Sequence, residues 1–215
     1  MRGRDVRAFS AAPAGQIIWT HDPAGRPLPS LPAEAARHFA RHGDALHRRA
    51  DDLGGVPWAL FRTAAGREVP RVIWADLGVQ LQAACLAGAR EQKFVPLNTC
   101  YVVICRHPAT ALALTAWLNS TWSRAIARAL ADRASGGYAR YNARSVGSVP
   151  MPAGVLRDVR LAAITKRAAA GEEIQEELDE ITASWLGLSV EHRAALSEMV
   201  GVGAARRRRG AAGRP

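Results

Sequence analysis

Hydrophobic positions recur along the chain at two different periods, and the change from one to the other divides it. Residues 1–32 are broken by Pro13, Gly15, Pro23, Gly25, Pro27, Pro29 and Pro32, leaving one strand-like island, Gln16-Ile17-Ile18-Trp19. From Glu34 to Ala50 the apolar residues step by three and four (Ala35, Phe39, His42, Leu46), with His38, Arg37, Arg41 and Arg48 on the other face. That spacing predicts an amphipathic helix starting near Pro32. Three β-branched and aromatic runs follow as predicted strands: Trp58 to Arg62, Arg71 to Trp74, and Phe94 to Cys105. At Pro108 the period turns helical and stays so to Arg133, with Leu112, Thr115, Ala116, Asn119, Trp122, Ile126 and Leu130 on one side. Ser135-Gly136-Gly137 supplies the left-handed residues that end such a helix. Beyond Pro150-Met151-Pro152 three helices are expected. They are Val155 to Ala170, Glu172 to Trp185 with Ile174, Leu178, Ile181 and Trp185 as its apolar stripe, and a third capped by Ser189. The pattern predicts an α+β fold: a small, mostly antiparallel sheet packed by helices, a helical carboxy-terminal part and a disordered basic tail. The corresponding divisions are residues 1–152, 153–203 and 204–215.

Composition narrows what such a fold does. The 215 residues are 48% hydrophobic and 22% charged, which excludes a chain disordered throughout. The formal charge is +10 and the isoelectric point is near 10.8, so a polyanion such as nucleic acid becomes a leading partner. About half of that charge lies in Arg206, Arg207, Arg208, Arg209 and Arg214, set among Gly and Ala that cannot build a core. Cys85, Cys100 and Cys105 are few and odd in number, and no hydrophobic signal segment follows Met1. A reducing cytoplasm without disulfides is the expectation. The most apolar stretch, Ala109 to Leu118, falls well short of the roughly 20 residues that span a bilayer, so no membrane association is expected.

Motifs for chemistry are mostly missing. None of Asn98, Asn119 and Asn142 precedes a proline, so the Asn-Pro-Pro-aromatic loop that positions an exocyclic amine for methyl transfer is not present. Gly201-Val202-Gly203 follows a helix and no Walker lysine pattern occurs, which disfavours a nucleotide cradle. His38 and His42 have metal-ligand spacing but no third ligand, and the residue after His38 is Phe39 rather than the glutamate base of a zinc protease. Cys100 and Cys105, five apart in a predicted strand, face opposite ways and read as small core residues. The acidic run Glu172-Glu173, Glu176-Glu177, Asp179-Glu180 surrounds an apolar stripe and reads as a solvated face. Asp51-Asp52 reads as ion pairing with Arg48 and Arg49, or as a helix end.

The stretch from Gly136 to Arg144 is different. Gly136 and Gly137 allow close backbone approach, Tyr138 and Tyr141 are able to stack, and Arg140, Asn142 and Arg144 carry donors suited to base edges or phosphates. The same residues equally describe a connection in which the tyrosines plug the core and the arginines are solvated.

Several ordered patterns carry a family likeness. Trp117-Leu118-Asn119-Ser120, then Ser135-Gly136-Gly137-Tyr138-Ala139-Arg140-Tyr141-Asn142, then Val149-Pro150-Met151-Pro152 resemble the carboxy-terminal region of adenine-N6 DNA methyltransferases of type II restriction-modification systems. Arg2-Gly3-Arg4-Asp5-Val6-Arg7 is similar to the step that opens the target-recognition region of such enzymes. Arg71-Val72-Ile73-Trp74 with Pro96-Leu97-Asn98-Thr99-Cys100-Tyr101 resembles its middle. Asp179-Glu180-Ile181 and Trp185-Leu186-Gly187-Leu188 resemble its closing helix. The resemblance implies a module that recognises double-stranded DNA by sequence. S-adenosylmethionine and methyl transfer to an extruded adenine would belong to a catalytic domain or subunit that this chain lacks. On that reading this chain is not catalytic alone and holds no cofactor or metal. Arg140, Asn142 and Arg144 would read bases, Tyr138 and Tyr141 would stack or shape the loop that Gly136 and Gly137 open, and Arg124 and Arg128 would contact phosphates. The alternative is a truncated, non-catalytic remnant or interaction protein that binds DNA only non-specifically through its basic tail.

Overall fold

A computed structural model of the chain describes residues 1–49, 55–60 and 63–211, with side chains as far as residue 200. A 3-10 turn over Gly3–Asp5 leads into a two-strand ribbon, β1 (Val6–Arg7) antiparallel to β2 (Ser10–Ala11). The island at residues 16–19 is unpaired rather than a strand. Trp19 instead lays its indole against Gly66, where an added Cβ would meet the ring at 2.4 Å. The first predicted helix is two, α1 (Ala33–Ala40) and α2 (Gly43–His47), parted where Arg41 and His42 precede Gly43. Residues 58–60 are likewise not a strand. The end of that predicted strand at residues 61–62, the end of the predicted helix at residue 50 and the Asp51-Asp52 pair lie outside the described residues.

The main sheet is built on β3 (Arg71–Ala75). Between β3 and the third strand of that sheet come β4 (Leu77–Gly78), part of a separate small sheet, and β5 (Ala83–Leu86). Strand β6 (Cys100–Ile104) completes the order β5-β3-β6, antiparallel throughout, with Val72 opposite both Cys85 and Val103. Successive residues of a strand face opposite sides, and both sides of β3 are covered. Val72 and Trp74 join the larger core, whereas Ile73 joins a smaller one with Met1, Val6, Ala84 and Leu86. Cys105 belongs to the first core and Cys100 packs against the second, as opposite-facing positions require. All three cysteines are free thiols, and burial pushes that of Cys85 up to about 12. Strand β5 escapes the sequence pattern because its Ala-Ala-Cys-Leu lacks the β-branched and aromatic residues that mark strands.

The long predicted helix is also two, α3 (Pro108–Asn119) and α4 (Thr121–Leu130). Ser120 makes the break: its backbone is extended, its hydroxyl donates to the Trp117 carbonyl at 2.9 Å, and its oxygen accepts from Ser123 N–H at 3.2 Å. One residue therefore closes the first helix and caps the second. Helix α3 lies between the sheet and the carboxy-terminal helices, so every residue from Ala113 to Asn119 is buried rather than one stripe. Inside, the Asn119 amide pairs with both backbone groups of Ala83, donating to its carbonyl at 2.8 Å and accepting from its N–H at 3.0 Å. After α4 the chain forms β7 (Asp132–Arg133), β8 (Ala139–Arg140) and α5 (Ala143–Gly147), with β8 between β4 and β7 in the small sheet.

A 3-10 turn over Val155–Arg157 precedes α6 (Val159–Ala169), which packs Leu161 and Ile164 on α3. Helix α7 (Gln175–Leu186) and its N-cap Ile174 carry the expected stripe, with Ile174 and Leu178 buried and Ile181 and Trp185 packed against the same core. Asp158 ties α6 to α7: its carboxylate caps α6 by accepting from Arg160 N–H at 2.9 Å and accepts from the Trp185 indole at 2.8 Å. Helix α8 (Val190–Ala211) follows the Ser189 cap, whose hydroxyl accepts from His192 N–H. Its backbone takes in residues 204–211, the first part of the stretch read from composition as a disordered tail. Its Ala and Arg are strong helix formers.

The molecule is thus α+β, with small antiparallel sheets and helices packed on them. No helix of the described residues is long and apolar enough to cross a membrane.

Candidate nucleic-acid interface

The stretch singled out in the sequence is a hairpin. Strand β7 pairs with β8, Asp132 opposite Arg140, and Ala134 N–H closes the loop on the Tyr138 carbonyl at 2.9 Å. Gly136 and Gly137 have φ of 69° and 81°, the left-handed region where a side chain is strained, and they form this turn rather than the end of the helix. The turn aims the Gly137 carbonyl back at α4, where it accepts from Arg128 Nη2 at 3.1 Å.

The two tyrosines separate. Tyr141 is fully buried, with its hydroxyl donating to the Val79 carbonyl at 3.2 Å and its own carbonyl accepting from the Trp74 indole at 2.7 Å. Burial pushes its phenol pKa up, against the hydrogen bond from Arg128. Of the two roles expected of it, stacking or loop-shaping, its burial suits the second and leaves no face for a base. Tyr138 is 42% exposed at the hairpin tip and is the only one of the pair placed to stack.

The three predicted readers separate as well. Asn142 caps α5, accepting from Ser145 N–H at 2.9 Å, and its amide donates to Asp132 at 3.3 Å. Its amide is thus engaged in holding the loop, and the half-buried side chain keeps one N–H beyond these bonds. Arg140 is exposed but paired with Asp76 at 2.7 Å. Arg144 is exposed and its guanidinium has no partner among the described residues.

The structure assembles a feature that spacing did not disclose. Arg4 and Arg7 from the first turn and ribbon meet Arg124 and Arg128 of α4 around one cleft of about 530 Å³. Gln80 and Gln82 form part of another wall, and Tyr138 and the α8 residues Met199 and Val200 complete the rim. No carboxylate lines it among the described residues. A smaller hollow of about 250 Å³, with Arg2 and Asp76, shares Gly3, Arg4 and Leu77 with the cleft, so the basic tract runs on toward Arg140.

Local chemistry fixes each arginine. The Asp5 carboxylate accepts from Arg2 N–H at 2.8 Å and closes the turn that presents Arg4, and Gly3 sits so tightly that an added Cβ would meet the Thr99 carbonyl oxygen at 2.7 Å. Arg7 Nη1 donates to the carbonyls of Arg4 and Val6 at 2.7 and 2.9 Å. On α4 the i, i+4 pair faces the cleft. Arg128 Nη1 donates to Val79 at 3.3 Å, and Arg124 Nη2 reaches Asn119 Oδ1 at 3.3 Å while its buried Nε has no partner among the described residues. Burial pulls the Arg124 pKa down, and Asp179 opposes that pull. These partners are mostly neutral oxygens; the carboxylates near the four are Asp5, 4.0 Å from Arg4 Nε, and Asp179, which acts on Arg124, so the positive charge of the cleft is only partly compensated.

His38 and His42 touch edge to face with ring centres 5.1 Å apart, and no group of three possible metal ligands occurs among the described residues. On the acidic face, Arg167 pairs with Glu172 and Glu177, and Asp179 accepts from Thr121 N–H at 2.8 Å. No family model and no curated protein matches this chain.

Proposed function

We propose that the chain is a double-stranded DNA recognition module that supports adenine-N6 methylation, with methyl transfer carried out by a separate domain or subunit. The observation that carries it is the cleft: four arginines from parts of the chain more than a hundred residues apart converge on a space that no carboxylate lines among the described residues. Such a concentration of like charge repels itself in the absence of a ligand and is relieved by a polyanion. The hairpin beside it adds an exposed tyrosine and the exposed Arg140, α5 adds the exposed Arg144, and the likeness to target-recognition regions supports DNA methylation as the setting. The cleft does not suit S-adenosylmethionine, because a sulfonium cation would meet four guanidiniums and no carboxylate.

A polyanion grip predicts a particular salt response. Binding of duplex DNA should weaken steeply between about 50 and about 200 mM salt, and each lost phosphate contact should lower the slope of log K against log salt by about 0.9. Arg4→Ala combined with Arg7→Ala should cut that slope by about 2, while replacing Arg206 to Arg209 by alanine should leave the slope contributed by the cleft. If neutralising the four arm residues abolishes binding and the Arg4/Arg7 double variant binds like wild type, the cleft is not the interface. The tail-driven alternative then holds.

A further inference from the structure

We propose that Gln80 and Gln82, rather than the residues of the 136–144 loop, are the base readers of this chain, taking the donor–acceptor edge of an adenine presented to the arginine cleft. The inference rests on the DNA-binding reading above and adds to it where sequence is read. Between β4 and β5 the backbone runs Val79-Gln80-Leu81-Gln82. Leu81 is buried in the core at 1% exposure, which anchors this segment inward. Val79 and Gln80 form a bend ahead of β5, and the glutamines on either side of Leu81 both line the cleft.

Their amides are uncommitted. Neither the Gln80 nor the Gln82 side chain has a hydrogen-bond partner among the described residues, whereas the amide of Asn142 holds Ser145 and Asp132 and that of Asn119 holds Ala83. The segment is also held from below. The Val79 carbonyl accepts from both Arg128 and the Tyr141 hydroxyl, so the glutamines project from a braced backbone, the condition for discrimination rather than adaptable contact. A glutamine amide donates and accepts side by side, matching N7 and the N6 amine of adenine in the major groove. Leu77, 46% exposed on the same cleft, is apolar as a thymine methyl requires. Arginines grip phosphates without regard to sequence; the glutamines give the cleft something to read with.

The test is enrichment of a random duplex DNA pool by the full chain, by Gln80→Ala, by Gln82→Ala and by Gln82→Glu, with circular dichroism melting as a check on folding. Wild type should enrich a motif containing at least one fixed adenine. Each alanine variant should relax one position about tenfold while keeping the wild-type salt slope. Gln82→Glu, which accepts but does not donate in its ionised form, should move preference at its position from adenine toward cytosine. An unchanged motif in all three folded variants would overturn the glutamine assignment and leave the DNA-binding reading standing. Absence of any motif in the wild type, with binding that only salt controls, overturns the assignment together with sequence-specific recognition.

Discussion

A single ring shows how much one side chain carries in this fold. His21 is buried in the lead-in segment, where its Nε2 accepts from Leu60 N–H at 3.1 Å and its Nδ1 lies 3.0 Å from the Thr20 hydroxyl. That hydroxyl donates to the Trp58 carbonyl, so Nδ1 carries the ring proton and the imidazole is neutral. Burial lowers the His21 pKa below 6.5, with Asp22 pulling the other way. The neutral form is therefore the one the fold favours. The resulting stabilisation is complete above the unfolded value of about 6.5 and is lost as pH falls through the lower folded value. Acidification should release the tie to Leu60, seen as faster exchange of the Leu60 amide with the imidazole titrating below 6.5. His21→Gln should flatten that pH response. Nothing in the sequence pointed to His21, because its role depends on a chain segment nearly forty residues away. Cys100 and Cys105 were legible, since alternation alone decides which faces they take. Tyr141 and Asn142 were half legible: their types marked the loop, but whether they face inward or outward depends on Val79, Trp74 and Asp132, which spacing does not locate.

Among elements, helices were read more truly than their ends. The 3.6-residue period carries through Ser120 unbroken, so α3 and α4 look like one helix until the serine's extended backbone is seen. Strand β5 was invisible for the opposite reason, being held by β3 and by Asn119 rather than by propensity. The connection of α6 and α7 offers a direct probe of such links. Hydrogen bonding from Arg160, with that from Trp185, draws the Asp158 carboxyl down to about 2 from an ordinary 3.8. Its contribution is present above 3.8 and is lost as pH falls through about 2. Asp158→Ala should cost about 1–2 kcal/mol at neutral pH by removing the cap, measured by urea unfolding. The deficit should narrow as wild type is acidified toward its own titration. A constant deficit down to pH 2 would show that the carboxylate's charge plays no part.

At the scale of the molecule, the site is a product of folding rather than of any segment. Charge and composition made a polyanion the expected partner, but no local pattern joins Arg4 and Arg7 to Arg124 and Arg128, and the sequence accordingly placed the readers in the one loop whose residues stood out. The junction is sensitive to a change outside the cationic set. Gly3→Ala introduces a Cβ that would meet the Thr99 carbonyl oxygen at 2.7 Å and the Ala75 Cβ at 3.0 Å. The turn bearing Arg4 must shift to admit it, at a cost of about 1–3 kcal/mol. Calorimetry should record a lower Tm, and DNA affinity measured well below that temperature should fall with a salt slope reduced by about 1. Wild-type affinity in the folded variant would mean that Arg4 is not held by this turn.

Because the two halves of the cleft are separated by most of the chain, timing during synthesis follows from geometry. A ribosome adds residues from the amino terminus, and what has emerged folds first. Once residues 1–105 are out, the strands of the main sheet and the turn presenting Arg4 are available, yet the wall bearing Arg124 and Arg128 has not been made. A nascent polypeptide at that stage holds only half of the cleft, so if the cleft grips nucleic acid as proposed, tight association becomes a property of molecules whose translation has passed α4.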